Sequence, residues 1–433
     1  MTIEIAEAPV PEQDVAGPLL EHTRAMADKW VNNDKFAPGI VIAVGSAANH
    51  RAGVKVGKVA TDAAAPAVEF DSLWRQYSMT KLVTSIAAMT LIDSGAMTMD
   101  DPIHKFIPDF KNMNILGERA GTGHIGASIK TLTPARNPIT VRNLITHTAG
   151  MGYSMDTGPL EELYFREGIN PWQIDRIEED AIRWFRPTPL QTFAKKVATL
   201  PLFAEPGTVW AYSIGLDVLA AVVEVVAGKP FEDYVQDKIF GPLAMGSSFW
   251  QVPESDRGRM SSSYLPESDP AKLLLLDSRE NSVWYVAPSF PYGGAGLVMS
   301  AIDYDELLRM LMNGGALGDA RVLSPGAVDT MFSNLLAPMT GINLDQLYKM
   351  VRNPNVTFGA GGYVTTKPDP GNGRAAGTYG WGGFAGTCFW IDRAKGVRAN
   401  GMINVVPHET DHAVVAMVSS LIPAVYADLT PNG

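Results

Sequence analysis

The spacing of apolar residues changes along this chain, and each change marks an element. In residues 19–31, Leu19, Leu20, Met26 and Trp30 fall among charged neighbours, which predicts an amphipathic first helix. Residues 39–45 are β-branched and apolar between two glycines and predict a buried strand; the glycine-punctuated residues 52–60 predict a second. Further on the polar face disappears. Leu82, Val83, Ile86, Ala87, Ala88, Met89, Leu91 and Ile92 crowd into one stretch that closes at Gly95. A helix with no wet face packs at the centre of a fold.

After that stretch, Asp100 and Asp101 ahead of Pro102 suit the first turn of a short helix. To about residue 290 the chain reads mainly as helix and loop, with residues 190–200, 216–227 and 231–240 the strongest helices. Strand-like runs return at 296–299, 386–391 and 398–406. Between the first two, a helix over 303–313 ends at Gly314-Gly315, and a last helix covers 413–426. Strands at both ends with helices between predict one sheet shared by the two ends. The expected organisation is a discontinuous α/β unit of residues 19–98 and 291–433, an all-helical unit of 99–290, and a leader of 1–18. Residues 154–189 are rich in acidic and aromatic residues, among them Glu161, Trp172, Glu178, Trp184 and Phe185, and read equally well as a surface cap or a substrate lid.

Composition narrows the partners. The 433 residues are 46% hydrophobic and 19% charged, as in an ordinary globular protein with a sizeable core. The chain carries 35 Lys and Arg against 46 Asp and Glu, with no basic run, which argues against nucleic acid or an anionic membrane as partner. No stretch reaches the roughly 18 apolar residues of a spanning helix. Cys388 is the single cysteine, so no disulfide within the chain and no cysteine-based metal site is expected. The acidic, proline-containing start lacks the features of a secretory signal, and together these point to the cytoplasm.

The candidate chemistry begins where the apolar helix begins. Ser78 and Lys81 are three residues apart, which on a helix puts hydroxyl and amine on one face. A buried amine gives up its charge more readily and can then accept the serine proton. Alone, this spacing is weak: about one such pair is expected by chance, and an N-cap serine with a snorkelling lysine explains it as well.

Other motifs follow in order. Ser78-Met79-Thr80-Lys81, then residues 144–150 around His147, then residues 205–213 ending in Tyr212-Ser213, then Tyr379-Gly380-Trp381-Gly382-Gly383 together resemble the serine β-lactamase superfamily, in its class C-like branch and the family VIII carboxylesterases. The resemblance runs from about Arg24 onward. It implies a β-lactamase or penicillin-binding-protein-like α/β (α+β) fold, with an antiparallel sheet flanked by helices, an all-helical domain, and the site in the cleft between them. It makes Ser78 the nucleophile, Lys81 its base and Tyr212 the proton relay, with Tyr153, in a second Tyr-Ser pair, held in reserve. It implies an edge strand beside the nucleophile, with the Phe384 N–H joining that of Ser78 as oxyanion hole. Trp381, Gly382 and Gly383 would line the substrate. His147 would be structural.

Two departures bear on the substrate. No Tyr-x-Asn is present, and Trp381-Gly382-Gly383 stands where lactam-binding members carry Lys-Thr-Gly. An indole in place of an ammonium favours a small neutral or aromatic ester over a carboxylate-bearing drug. The expectation is a cofactor-free, metal-free carboxylic ester hydrolase. The β-lactamase, D-amino-acid peptidase, amidase and acyltransferase activities of the same machinery stay open, as do a non-catalytic binding module and a homo-oligomeric state. Trp172, Trp184 or Phe185 over the site would favour acyl transfer by drying it. His408-Glu409-Thr410-Asp411-His412 matches a zinc-protease pattern but has no strong third ligand after it.

Overall fold

The computed structural model describes residues 20–47, 50–116, 132–153, 159–269, 271–406 and 412–430. The expected leader and residues 408–411 of the zinc-like motif lie outside them. In chain order, the elements used below are helix α1 (Glu21–Asp28), strands β1 (Gly39–Ala47), β2 (His50–Gly57) and β3 (Leu73–Arg75), helices α2 (Thr80–Asp93) and α3 (Gly215–Ala227), strand β4 (Val298–Ser300) and helix α4 (Ala301–Met312). Strands β5 (Val356–Phe358), β6 (Tyr363–Thr365), β7 (Tyr379–Gly382), β8 (Cys388–Asp392) and β9 (Val397–Met402), then helix α5 (His412–Leu429), complete the set.

One seven-stranded sheet joins the two ends of the chain, in the order β5-β6-β7-β8-β9-β1-β2, with every neighbouring pair antiparallel. The apolar run of β1 has its reason here. Ile40, Ile42 and Val44 join the core under α1 and α5, while Val41 and Ala43 join the larger core on the opposite face. Strand β8 divides the same way, Cys388 and Trp390 to one side and Phe389 and Ile391 to the other. A strand covered on both faces has no need of a polar alternation.

Helix α2 is central, as its pattern requires. Every residue from Thr80 to Met89 is buried, and α2 packs against α3 and the 325–331 helix. Gly95, at φ 76°, takes the left-handed position that ends it.

The middle of the chain is less uniformly helical than its pattern suggests. Residues 99–290 include the short strands Asn114–Leu116, Leu132–Pro134, Ser248–Phe249, Ser263–Pro266 and Leu273–Asp277. Ser248–Phe249 pairs with β4, and β4 pairs with β3, so a second small sheet draws on all three thirds of the chain. These strands have two to five residues each, too few for a period-2 pattern to stand out.

Strand β3 leads straight into the Ser78 turn, and a buried ion pair fixes it. Arg75 Nε donates to Asp277 Oδ2 at 3.0 Å and its Nη1 to the Ser261 carbonyl at 2.6 Å, with both side chains inaccessible to solvent. Removing one partner of such a pair leaves an uncompensated charge. Asp277→Ala should therefore lose about 3–5 kcal/mol of stability in denaturant unfolding; a loss below about 1 kcal/mol would remove the pair from this role.

Candidate active site

The approach to Ser78 is locked on both sides. Arg75 faces Val298 in the β3–β4 ladder, the Gln76 N–H continues it to the Leu297 carbonyl at 2.8 Å, and the Leu297 N–H returns to Thr80 Oγ1 at 3.1 Å. Tyr77 then turns the chain at φ 43°, a conformation few non-glycine residues hold without strong surroundings. A short turn over Tyr77–Met79 delivers Ser78 to the head of α2. Strain sits next to the Ser78 hydroxyl.

Ser78, Lys81 and Tyr212 meet. The Tyr212 hydroxyl donates to Ser78 Oγ at 2.5 Å, and Lys81 Nζ donates to the same oxygen at 3.2 Å. Ser78 and Tyr212 are partly exposed, whereas Lys81 is fully buried. The lysine's second acceptor is the Gly294 carbonyl at 2.7 Å, and its Nζ stands 4.6 Å from the Tyr212 ring centroid. The hydroxyl reaches solvent and the amine stands behind it, out of contact with water.

Tyr212 is held by its backbone and by His147. Its N–H donates to Gln346 Oε1 at 2.9 Å; the Ala211 N–H donates to the His147 carbonyl at 2.9 Å and the Ser213 N–H to His147 Nδ1 at 3.2 Å. The His147 ring lies 4.7 Å from that of Tyr212. Burial, seconded by the charge of Lys81, holds the imidazole well below its ordinary range, so it stays neutral and serves as a support.

Tyr153 joins the same cluster, its ring 5.2 Å from that of Tyr212 and 5.3 Å from Lys81 Nζ. Trp381 packs 5.6 Å from Tyr212 and 5.4 Å from Phe358. Trp172 lies 5.8 Å from Tyr153 and so extends the aromatic wall. Trp184 does not: it is 82% exposed and stacks edge-on with Phe185, so of the two readings of residues 154–189 this ring fits the surface cap. A groove of about 750 Å³ near Leu190, Glu224 and Trp250 includes none of these residues.

The late strand comes close to the Ser78 turn, but not as an edge. Strand β7 lies between β6 and β8, and its backbone runs on through Gly383 to Phe384. A Cβ on Gly383 would stand 2.4 Å from the Gln76 carbonyl oxygen and 2.1 Å from Thr387 Oγ1, so only glycine permits this approach. Gly382 closes the ladder opposite Cys388. The Phe384 N–H is engaged by no group of the described residues, and its ring packs edge-on against Tyr77 at 5.8 Å.

Asp217 and Gly294 were not singled out from sequence. Asp217 Oδ1 accepts the Gly294 N–H at 2.8 Å, on the far side of the glycine whose carbonyl holds Lys81. The signal available was an acid in the first turn of α3, shortly after Tyr212 and among residues 215–223 that are otherwise apolar or glycine.

Comparison with known proteins decides the family. The Beta-lactamase family profile matches residues 28–425. The chain belongs to the Beta-lactamase family. Among curated relatives it is 27% identical over 350 residues to the lovastatin esterase of Penicillium rubens, covering 78% of this chain and 81% of that one. It is 28% identical over 345 residues to esterase EstB of Burkholderia gladioli, covering 76% of each. Among solved structures, a mutant simvastatin synthase of Aspergillus terreus superposes with a TM-score of 0.75 at 24% identity, over 95% of this chain and 97% of that one, which establishes the shared fold. This Beta-lactamase family member is a serine-hydrolase-type enzyme whose relatives are named as esterases and acyltransferases. No helix among its described residues is long and apolar enough to cross a membrane.

Two outcomes follow. Gly383→Ala should fold and lose about tenfold or more of its activity, since small displacements beside a reacting group cost that much; unchanged steady-state kinetics would contradict the close approach. His147 is neutral when folded and takes a proton near pH 6.5 when unfolded, so it destabilises the fold progressively as pH falls below 6.5. His147→Gln should remove a slope of up to about 1.4 kcal/mol per pH unit from the acid side of the stability profile, read by urea unfolding.

Proposed function

We propose that this enzyme hydrolyses small neutral or aromatic carboxylic esters through an acyl-enzyme on Ser78. The observation that carries this is the double hydrogen bond on one oxygen: Ser78 Oγ lies within reach of both the Lys81 amine and the Tyr212 hydroxyl. In this reading Ser78 attacks the ester carbonyl while neutral Lys81 takes its proton. The tetrahedral oxyanion is held by the N–H groups of Ser78 and Phe384, then collapses and expels the alcohol, which receives its proton through Tyr212. Water enters by the reverse proton path and releases the acid. The cleft between the sheet-bearing ends of the chain and its middle segment holds the substrate.

The aromatic wall supports the choice of substrate. Tyr153 and Trp381 pack against Tyr212, Trp172 extends the wall from Tyr153, and Trp381 brings no cation to grip a carboxylate. Acyl transfer to an alcohol is the second reading, favoured by Trp172 against Tyr153.

Intact-mass spectrometry after brief exposure to p-nitrophenyl acetate should show one acetyl adduct, or nitrophenol release, that disappears in Ser78→Ala. A cephalosporin should be turned over far more slowly than the ester. Ester hydrolysis surviving in Ser78→Ala would remove the serine from its role, and faster lactam turnover would reverse the substrate choice. An added alcohol that diverts the acetyl group into a new ester would favour the transfer reading.

A further inference from the structure

Behind Lys81 lies a carboxyl group that the ester chemistry does not use. Asp217 is inaccessible to solvent in the first turn of α3. Its Oδ1 accepts the Gly294 N–H at 2.8 Å, and the carbonyl of the same glycine accepts from Lys81 Nζ at 2.7 Å. A single residue of backbone therefore links carboxyl and amine. Asp217 Oδ2 has no hydrogen-bond partner among the described residues. It stands 2.6 Å, and the Tyr153 hydroxyl 3.0 Å, from the point where a Gly294 Cβ would be, so both face the gap left by glycine.

A buried carboxyl with an unfilled oxygen is unfavourable, and in a native fold it calls for an explanation. The surroundings supply one. Lys81 from α2 is the cation acting on it, with Tyr153 and, beyond it, Tyr212 as the titratable phenols; His147 is kept neutral. Thr84 Oγ1 donates to the Gly293 carbonyl at 2.6 Å and so fixes the same turn from α2. Burial favours the protonated carboxyl, while Lys81 and the Gly294 N–H favour the carboxylate; the balance pushes Asp217 up to about 7.

We propose that Asp217 is the positioning residue for Lys81: through Gly294 it aims the amine at Ser78, and its charge sets how firmly that amine holds a proton. This rests on the reading of Ser78 and Lys81 as nucleophile and base. A carboxylate stabilises the neighbouring ammonium, so losing it frees the amine as a base at lower pH. The two oxygens then have separate tasks, one geometric and one electrostatic.

Asp217→Asn separates the tasks, because it keeps an acceptor for the Gly294 N–H and removes the charge. The acid limb of its kcat/KM profile should move about one pH unit or more to lower pH, with KM close to that of the parent. Infrared difference spectra, parent minus Asp217→Asn, should show a protonated-carboxyl band titrating with a midpoint of about 7. Gly294→Ala, whose Cβ would press on Asp217 Oδ2 at 2.6 Å, should lower kcat while leaving KM near the parent value. An unshifted pH profile in Asp217→Asn, or an unchanged kcat in Gly294→Ala, overturns the proposal. Ser78→Ala that still turns over ester would instead defeat the nucleophile reading, and the infrared titration would still decide the state of Asp217.

Discussion

A lysine with no contact with water sits inside a helix that has no polar face, and much of this fold is arranged to make that tolerable. Burying an amine is strongly unfavourable unless each of its hydrogens meets an acceptor. Lys81 has the Ser78 hydroxyl and the Gly294 carbonyl, and the faces of two tyrosines beside it. Each partner comes from a different part of the chain, so the amine is satisfied only when the head of α2, the turn before β4 and the segment ahead of α3 have all assembled. The geometry of the candidate site and the folding of the chain therefore rest on the same contacts.

The supports continue outward. The Arg75–Asp277 pair and the β3–β4 ladder hold the strained turn at Tyr77, which in turn presents Ser78. His147 and Gln346 hold the backbone around Tyr212 from behind. The Gly383 backbone closes against Gln76, two residues before Ser78. A site on the end of a buried helix, backed by a sheet, keeps its spacing better than one carried on a loop.

Much of this was legible in the sequence where the signal was local and strong. The dense apolar run after Ser78 predicted the central helix, and the β-branched run at residues 39–45 predicted a buried strand, which is covered on both faces. The ordered motifs brought Ser78, Lys81 and Tyr212 into one expectation, and the three side chains share one oxygen. What escaped was either short or dependent on distant partners. Strands β5 and β6, of three residues each, exist through their neighbours in the sheet. Strand β7 was expected at an edge because the order of strands in space is not written in any one of them. Asp217 meets its partner Gly294 some 77 positions away, and residue types alone left Trp184 between surface cap and substrate lid until its exposure favoured the cap.

The central claim is that Ser78 gives its proton to Lys81 as it attacks the ester carbonyl, and that the resulting oxyanion turns toward the β7 end. The most direct test is a crystal structure of the enzyme after reaction with a p-nitrophenyl alkylphosphonate, whose adduct imitates the tetrahedral intermediate. The account predicts phosphorus bonded to Ser78 Oγ, with the phosphonyl oxygen accepting from the N–H groups of Ser78 and Phe384, and Tyr212 facing the departed nitrophenol. An adduct on any other residue, or a phosphonyl oxygen turned away from Phe384 toward solvent, would contradict it.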